Sequence, residues 1–91
     1  MSARRSKFRI LSDIMRVVER EGEANVSTLL LEANLSYARL SKYLEELVDK
    51  GFLLRIEDGR EVKFKLTPKG ESFLREVKRI EAIAEAFGVE L

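Results

Sequence analysis

Three sets of cationic side chains are the reactive groups that stand out in this sequence. Arg4, Arg5 and Lys7 lie near the N-terminus, Arg39 and Lys42 lie three residues apart, and Arg55, Arg60, Lys63 and Lys65 share one short stretch. A guanidinium is a planar fork of donors that can grip two acceptors at once, and an ammonium is a compact point charge. Gathered on one face, such groups bind a polyanion. The groups that catalysis needs are missing. The 91 residues include no Cys and no His, which removes disulfides, Cys/His zinc sites, thiolate nucleophiles and imidazole acid–base chemistry. There is no glycine-rich phosphate loop and no nucleophile beside a base. Adjacent Glu45 and Glu46 point about 100° apart on a helix, so they make no catalytic pair. We expect no enzyme activity, no cofactor and no bound metal.

Seventeen Lys and Arg against sixteen Asp and Glu give a formal net charge of +1, but the charge is unevenly placed. Residues 1–9 hold Arg4, Arg5, Lys7 and Arg9 and no acid, whereas residues 10–35 are acid-rich. Within residues 36–50, Arg39 and Lys42 come first and Glu45, Glu46 and Asp49 follow. Each basic run alone is ordinary solvated surface, so the three matter only if the fold puts them on one side. A chain that is 45% hydrophobic and 36% charged is a folded one. Its length suits one domain with one small core. With no apolar run near the ~20 residues of a membrane span and no signal-like N-terminus, a cytoplasmic protein is expected.

The elements that must position these cations can be read from periodicity and caps. Phe8, Leu11, Ile14, Met15 and Val18 predict a first helix over residues 7–21, stopped by Gly22. Val26 reads as a very short strand. Ser27 is expected to cap a second helix, Thr28 to Ala33, with Leu29 and Leu30 inward. Asn34-Leu35 is a break, because Asn tolerates left-handed geometry. Ser36 then caps a third helix to about Lys50, with Tyr37, Leu40, Leu44, Leu47 and Val48 as its apolar side. Two short helices around a three-residue turn describe a helix-turn-helix.

Alternation on both sides of Asp58-Gly59 predicts a β-hairpin over residues 52–66. A two-residue Asp58-Gly59 loop would put Phe52, Leu54 and Ile56 on the face opposite Val62, Phe64 and Leu66. A three-residue loop, Glu57-Asp58-Gly59, pairs 56 with 60, 54 with 62 and 52 with 64, and turns both apolar sets to the core. It sets Arg55 opposite Glu61. Thr67 and Pro68 start a fourth helix, as cap and first helical residue, running to about Phe87 and ending at Gly88. The expected architecture is mainly α with a small β-hairpin (α+β): three helices, a wing hairpin and a C-terminal helix.

The run Asn34-Leu35-Ser36-Tyr37, Leu40, Tyr43-Leu44-Glu45-Glu46-Leu47, Lys50-Gly51-Phe52-Leu53 and Thr67-Pro68-Lys69-Gly70 resembles archaeal winged-helix DNA-binding proteins. It is most similar to the small group that dimerises through a C-terminal coiled-coil helix. The resemblance covers roughly residues 8–87. It implies a homodimer that binds double-stranded DNA, as a transcriptional regulator or a general chromatin component of the nucleoid. The fourth helix is short for a long coiled coil, about 20 residues or ~30 Å.

On this reading residues 1–6 form a basic flexible arm, 7–67 the winged helix-turn-helix domain and 68–91 a dimerisation helix. The third helix enters the major groove by its N-terminal end. Ala38, Arg39 and Lys42 face outward there. Arg39 suits a guanine edge and Lys42 a phosphate. Ser36 caps the helix or touches a phosphate. Tyr37 and Tyr43 reach the backbone or, as their place at the edge of the apolar side favours, pack on the core with the hydroxyl at the surface. In the wing, Arg55, Lys63 and Lys65 share the outward face and Arg60 sits at the tip, where they meet phosphate or simply protect an edge strand. Arg4, Arg5 and Lys7 lie along phosphates. Phe73, Leu74, Val77, Ile80, Ile83, Ala84 and Phe87 form a broad stripe with a heptad seam for a second copy. The competing reading is a winged helix that binds protein instead of DNA, since folds do not dictate functions.

Overall fold

The computed structural model describes residues 5–91. Its elements run α1 (Lys7–Glu21), β1 (Ala24–Asn25), α2 (Val26–Ala33), α3 (Tyr37–Asp49), β2 (Leu53–Asp58), β3 (Glu61–Leu66) and α4 (Pro68–Ala86). Side-chain caps start each helix. Ser6 Oγ accepts from the Arg9 N–H, Asn25 Oδ1 from Thr28, Ser36 Oγ from Arg39 and Thr67 Oγ1 from Gly70. Each satisfies a donor that the first turn leaves without an intrahelical partner. The cap of α2 is therefore Asn25, not Ser27. The chain is already fixed there, because Asn25 pairs with Lys63 and Ala24 with Phe64 as a two-residue strand. The short strand thus ends where one was expected to sit, at Val26.

The core gathers one side of every helix: Ile10, Ile14, Met15, Val17 and Val18 of α1, Leu29 and Ala33 of α2, Leu40, Leu44 and Leu47 of α3, and Leu74 and Val77 of α4. Leu53 and Phe64 close it from the sheet. Leu74 and Val77 are 0% and 2% exposed within the single chain. They have no surface left for a second copy, which corrects their assignment to a dimer seam. No helix among the described residues is long and apolar enough to cross a membrane.

The sheet has the order β1-β3-β2, all antiparallel. Its hairpin departs from the expected three-residue loop. Asp58 pairs with Glu61, Ile56 with Lys63, Arg55 with Phe64 and Leu53 with Leu66, so the loop is Gly59-Arg60. Gly59 has φ +64° and Arg60 no positive φ, the pattern of a type II′ turn with glycine first. The register differs in parity from the expected one, so the β2 faces exchange. Leu53 turns inward with Phe64, while Leu54 and Ile56 turn outward beside Lys65 and Lys63. Arg55 stands opposite Phe64, not Glu61, and lies on the face away from Lys63 and Lys65.

A tight junction joins the wing to α4 and accounts for the Lys-Gly-Phe and Thr-Pro-Lys-Gly runs. Thr67 Oγ1 donates to the Gly51 carbonyl (2.6 Å) while capping α4, and the Thr67 N–H reaches the Phe52 carbonyl (3.1 Å). A Cβ on Gly70 would lie 2.0 Å from the Phe52 carbonyl oxygen, so only glycine allows that approach. Lys69 Nζ donates to the Lys50 carbonyl (2.8 Å) and stands 5.0 Å from the centre of the Phe52 ring, which stacks on Phe73 at 4.4 Å.

Candidate nucleic-acid interface

The third helix gets its start from Asn34 and Ser36. Asn34 sits in the left-handed region (φ 54°, ψ 57°) and ends α2 with its N–H on the Leu30 carbonyl. Two residues later Ser36 Oγ accepts from Arg39 N at 3.3 Å, which engages it as a cap. With Leu40, Leu44 and Leu47 in the core, the opposite side of the first two turns is open. Ala38, Arg39, Ser41 and Lys42 are all exposed there. The Arg39 guanidinium lies 6.0 Å from the centre of the Tyr43 ring, a cation–π contact that holds the arginine along the helix. Neither Arg39 nor Lys42 has a carboxylate partner among the described residues. Tyr37 is 63% exposed, which corrects its expected place at the edge of the core. Tyr43 is half-buried and does pack there.

Farther along α3 the character reverses. Glu46 meets Lys7 at 2.9 Å and Lys50 at 3.6 Å. The Lys7 hydrogen bond, aided by both ammonium charges, holds the Glu46 carboxyl below its ordinary 4.5 against a smaller opposing effect of desolvation. Arg5 is also engaged. Its Nη1 donates to Asp13 Oδ2 (3.0 Å) and its Nη2 to the Asn34 carbonyl (2.9 Å). Arg5 and Ser6 thus belong to the folded unit and not to a free arm, and Lys7 opens α1. Arg4 lies outside the described residues. Arg5, Lys7 and Arg39 nonetheless line one open hollow of ≈ 540 Å³ floored by Ile10 and Tyr43, so two of the three cation sets converge at the head of α3.

In the wing, Lys63 and Lys65 share the outward face with Leu54 and Ile56, and Arg60 occupies the turn. Lys63 makes a loose contact with Asp58 (3.8 Å), and Lys65 and Arg60 have no ion-pair partner among the described residues. Arg55 is bonded to Glu57 at 3.1 Å. It lines the slot between α3 and the inner face of the sheet with Glu45 and Asp49, which removes it from the outward wing set.

Sequence reasoning missed the ion pairs between α1 and α4. Glu81 joins Arg9 at 2.7 Å and also Arg16, and Lys78 reaches Glu19 at 2.6 Å. The pairing of residue 9 with 81 depends on how two distant helices pack, and no local spacing announces it. The described residues hold no group of three or more acids that would suit a metal ion.

The chain matches the model of a winged helix-turn-helix family over residues 4–85. It is 31% identical over 68 residues to an uncharacterised protein of Methanocaldococcus jannaschii, covering 75% of this chain and 65% of that protein's length. Among solved structures it is similar to Sso10a-2, a DNA-binding protein from Sulfolobus solfataricus, at 24% identity and a TM-score of 0.81, covering 91% of this chain and 85% of that one. The transcriptional regulator BldR from the same organism matches at 20% identity and a TM-score of 0.70, over 84% of this chain and 60% of its own. The order of helices, the three-stranded sheet and the wing agree with these comparisons: the chain belongs to the winged helix-turn-helix family.

Proposed function

We propose that this protein binds double-stranded DNA as a homodimer and regulates transcription, acting by binding and not by catalysis. The first two turns of α3 enter the major groove, and the 52–66 hairpin serves as the wing. The observation that carries this reading is the exposed, unpaired Arg39 and Lys42 on the outward side of a capped helix whose other side is locked in the core. Arg39 suits the O6 and N7 acceptors of a guanine, and Lys42 a phosphate. Glu45 and Asp49 repel phosphate, so the helix enters by its N-terminal end. Lys63, Lys65 and Arg60 supply wing contacts, while Ser36 and Tyr37 sit where a backbone would pass. The description of Sso10a-2 as DNA-binding and of BldR as a transcriptional regulator supports the same reading.

Residues 7–67 act as the DNA-binding unit and 68–91 as the dimerisation helix, tied together by Leu74 and Val77. On α4, Phe73, Ile80, Ile83 and Phe87 are 39%, 49%, 54% and 80% exposed. Phe73, Ile80 and Phe87 recur every seven residues with Ile83 at a d position, a narrower seam than the full stripe, with Ala84 beside it. A two-fold dimer would present two α3 helices about 34 Å apart to a roughly palindromic site.

The test is an electrophoretic shift assay on random duplex with competitor DNA, alongside sedimentation. A regulator is competed sharply by one sequence and a general chromatin protein equally by all. Absence of duplex binding would leave the protein-interaction reading.

A further inference from the structure

The structure assigns Arg5 a positioning role: it ties the helix-turn-helix turn to α1 and so fixes where the recognition helix begins. This inference rests on the DNA-binding reading and deepens it, because the sequence alone places Arg5 on a phosphate. One guanidinium bonds two elements. Nη1 meets Asp13 on α1 at 3.0 Å, and Nη2 meets the Asn34 carbonyl at 2.9 Å. Both side chains of the ion pair are less than one-third exposed, so water screens them less than a fully solvated pair.

The Asn34 carbonyl is a consequential acceptor. It belongs to the only non-glycine residue with positive φ among the described ones. That conformation carries strain for any residue with a Cβ. The peptide plane that follows leads through Leu35 to the cap Ser36. Holding its oxygen against α1 fixes that plane and hence the direction in which α3 leaves. Lys7 makes a second, more exposed tie at 2.9 Å to Glu46 on the third turn of α3. The two ties hold both ends of the segment that carries Arg39 and Lys42. Only an arginine fork can bridge Asp13 and Asn34 together, since a lysine is a single point donor.

Two conservative variants separate this role from phosphate contact. Asp13→Asn removes a negative charge and loosens Arg5. If Arg5 contacts phosphate, duplex affinity rises. If Arg5 positions α3, affinity falls, by about fivefold for the loss of one partly exposed charged hydrogen bond, with no drop in the salt slope. Arg5→Lys keeps the charge and loses the fork, so phosphate contact predicts retained affinity and positioning predicts a similar fall at unchanged slope. Amide hydrogen exchange of the DNA-free proteins supplies a readout that does not need DNA. Leu35, Arg39 and Leu40 should exchange faster in both variants, while the core amides of α1 keep their protection. Tighter binding by Asp13→Asn, or exchange at the head of α3 unchanged in both variants, overturns the assignment. If the parent chain binds no duplex, the DNA-binding reading fails, and exchange alone decides whether Arg5 holds the turn.

Discussion

At the seam between α1 and α4, Arg9 and Arg16 share Glu81 and Lys78 meets Glu19; at the head of α3, Arg39 and Lys42 meet no carboxylate among the described residues. The residue types are the same and the surroundings differ. The seam cations are locked between two packed helices, where the Glu81 side chain is 12% exposed. The α3 cations stand on the open side of a helix whose acids are displaced by one to two turns. A chain with net charge +1 can thus offer one cationic surface, because its other charges cancel locally. Net charge is a poor guide to polyanion binding in such a protein, and the location of unpaired cations is a better one.

Replacing residues on either side of this comparison should give effects of different kinds. The largest effect on binding is expected from Arg39→Ala with Lys42→Ala. Loss of a bidentate base contact, about 1–3 kcal/mol, together with a phosphate contact should weaken duplex binding by about 100-fold or more in a shift assay, with thermal stability unchanged. Glu81→Gln should do the reverse. Arg9 and Arg16 lose a mostly buried partner, and unfolding in denaturant should show a loss of about 1–2 kcal/mol, between exposed and buried pairs. Its DNA affinity and salt slope should stay as in the parent. A loss of binding without a loss of stability in Glu81→Gln would erase the distinction between the two regions.

Lys65→Ala on the wing should be milder. Affinity should fall modestly for all duplex sequences, and the slope of log affinity against log salt should become shallower by about 0.9. Arg55→Ala should leave that slope alone, since Arg55 lies on the other face of the hairpin. The smallest effect concerns pH. Glu46 has its carboxyl held below the ordinary 4.5 in the folded chain by Lys7 and Lys50. Its contribution to stability is present above 4.5 and is lost as pH falls through the lowered folded value. Glu46→Gln lacks that contribution at neutral pH, so its stability should decline less steeply during acid titration followed by circular dichroism.

Much of this architecture was legible in the sequence because it depends on local chemistry. Ser36 and Thr67 are caps, Asn34 ends α2 in the left-handed region, and Pro68 opens α4, each for a reason that its own side chain supplies. The hairpin register was not legible. Leu53 and Leu54 are adjacent and both apolar, so alternation did not say which one turned inward. The decisive residue was Gly59, whose place as first residue of a two-residue turn reverses the β2 faces and moves Arg55 off the outward wing. β1 was hidden because two residues gain strand geometry only by pairing with Lys63 and Phe64, nearly forty positions on. The α4 stripe was legible as apolar but not as two surfaces. Packing against α1 takes Leu74 and Val77 and leaves Phe73, Ile80, Ile83 and Phe87. At the candidate interface, Arg39 and Lys42 lie where the helical projection put them. Arg5 and Lys7 do not lie free, because their partners Asp13, Asn34 and Glu46 come from other elements.

The central claim is that cations unpaired in the folded chain meet the phosphates and bases of a duplex. The most direct measurement is duplex affinity as a function of salt for the parent chain and the Arg39→Ala, Lys42→Ala variant. With about six phosphates contacted per dimer, log affinity should fall with log salt at a slope near −5, at ~0.9 per phosphate, and the variant should be weaker and shallower. A flat salt dependence, or a variant that binds as the parent does, would contradict the account.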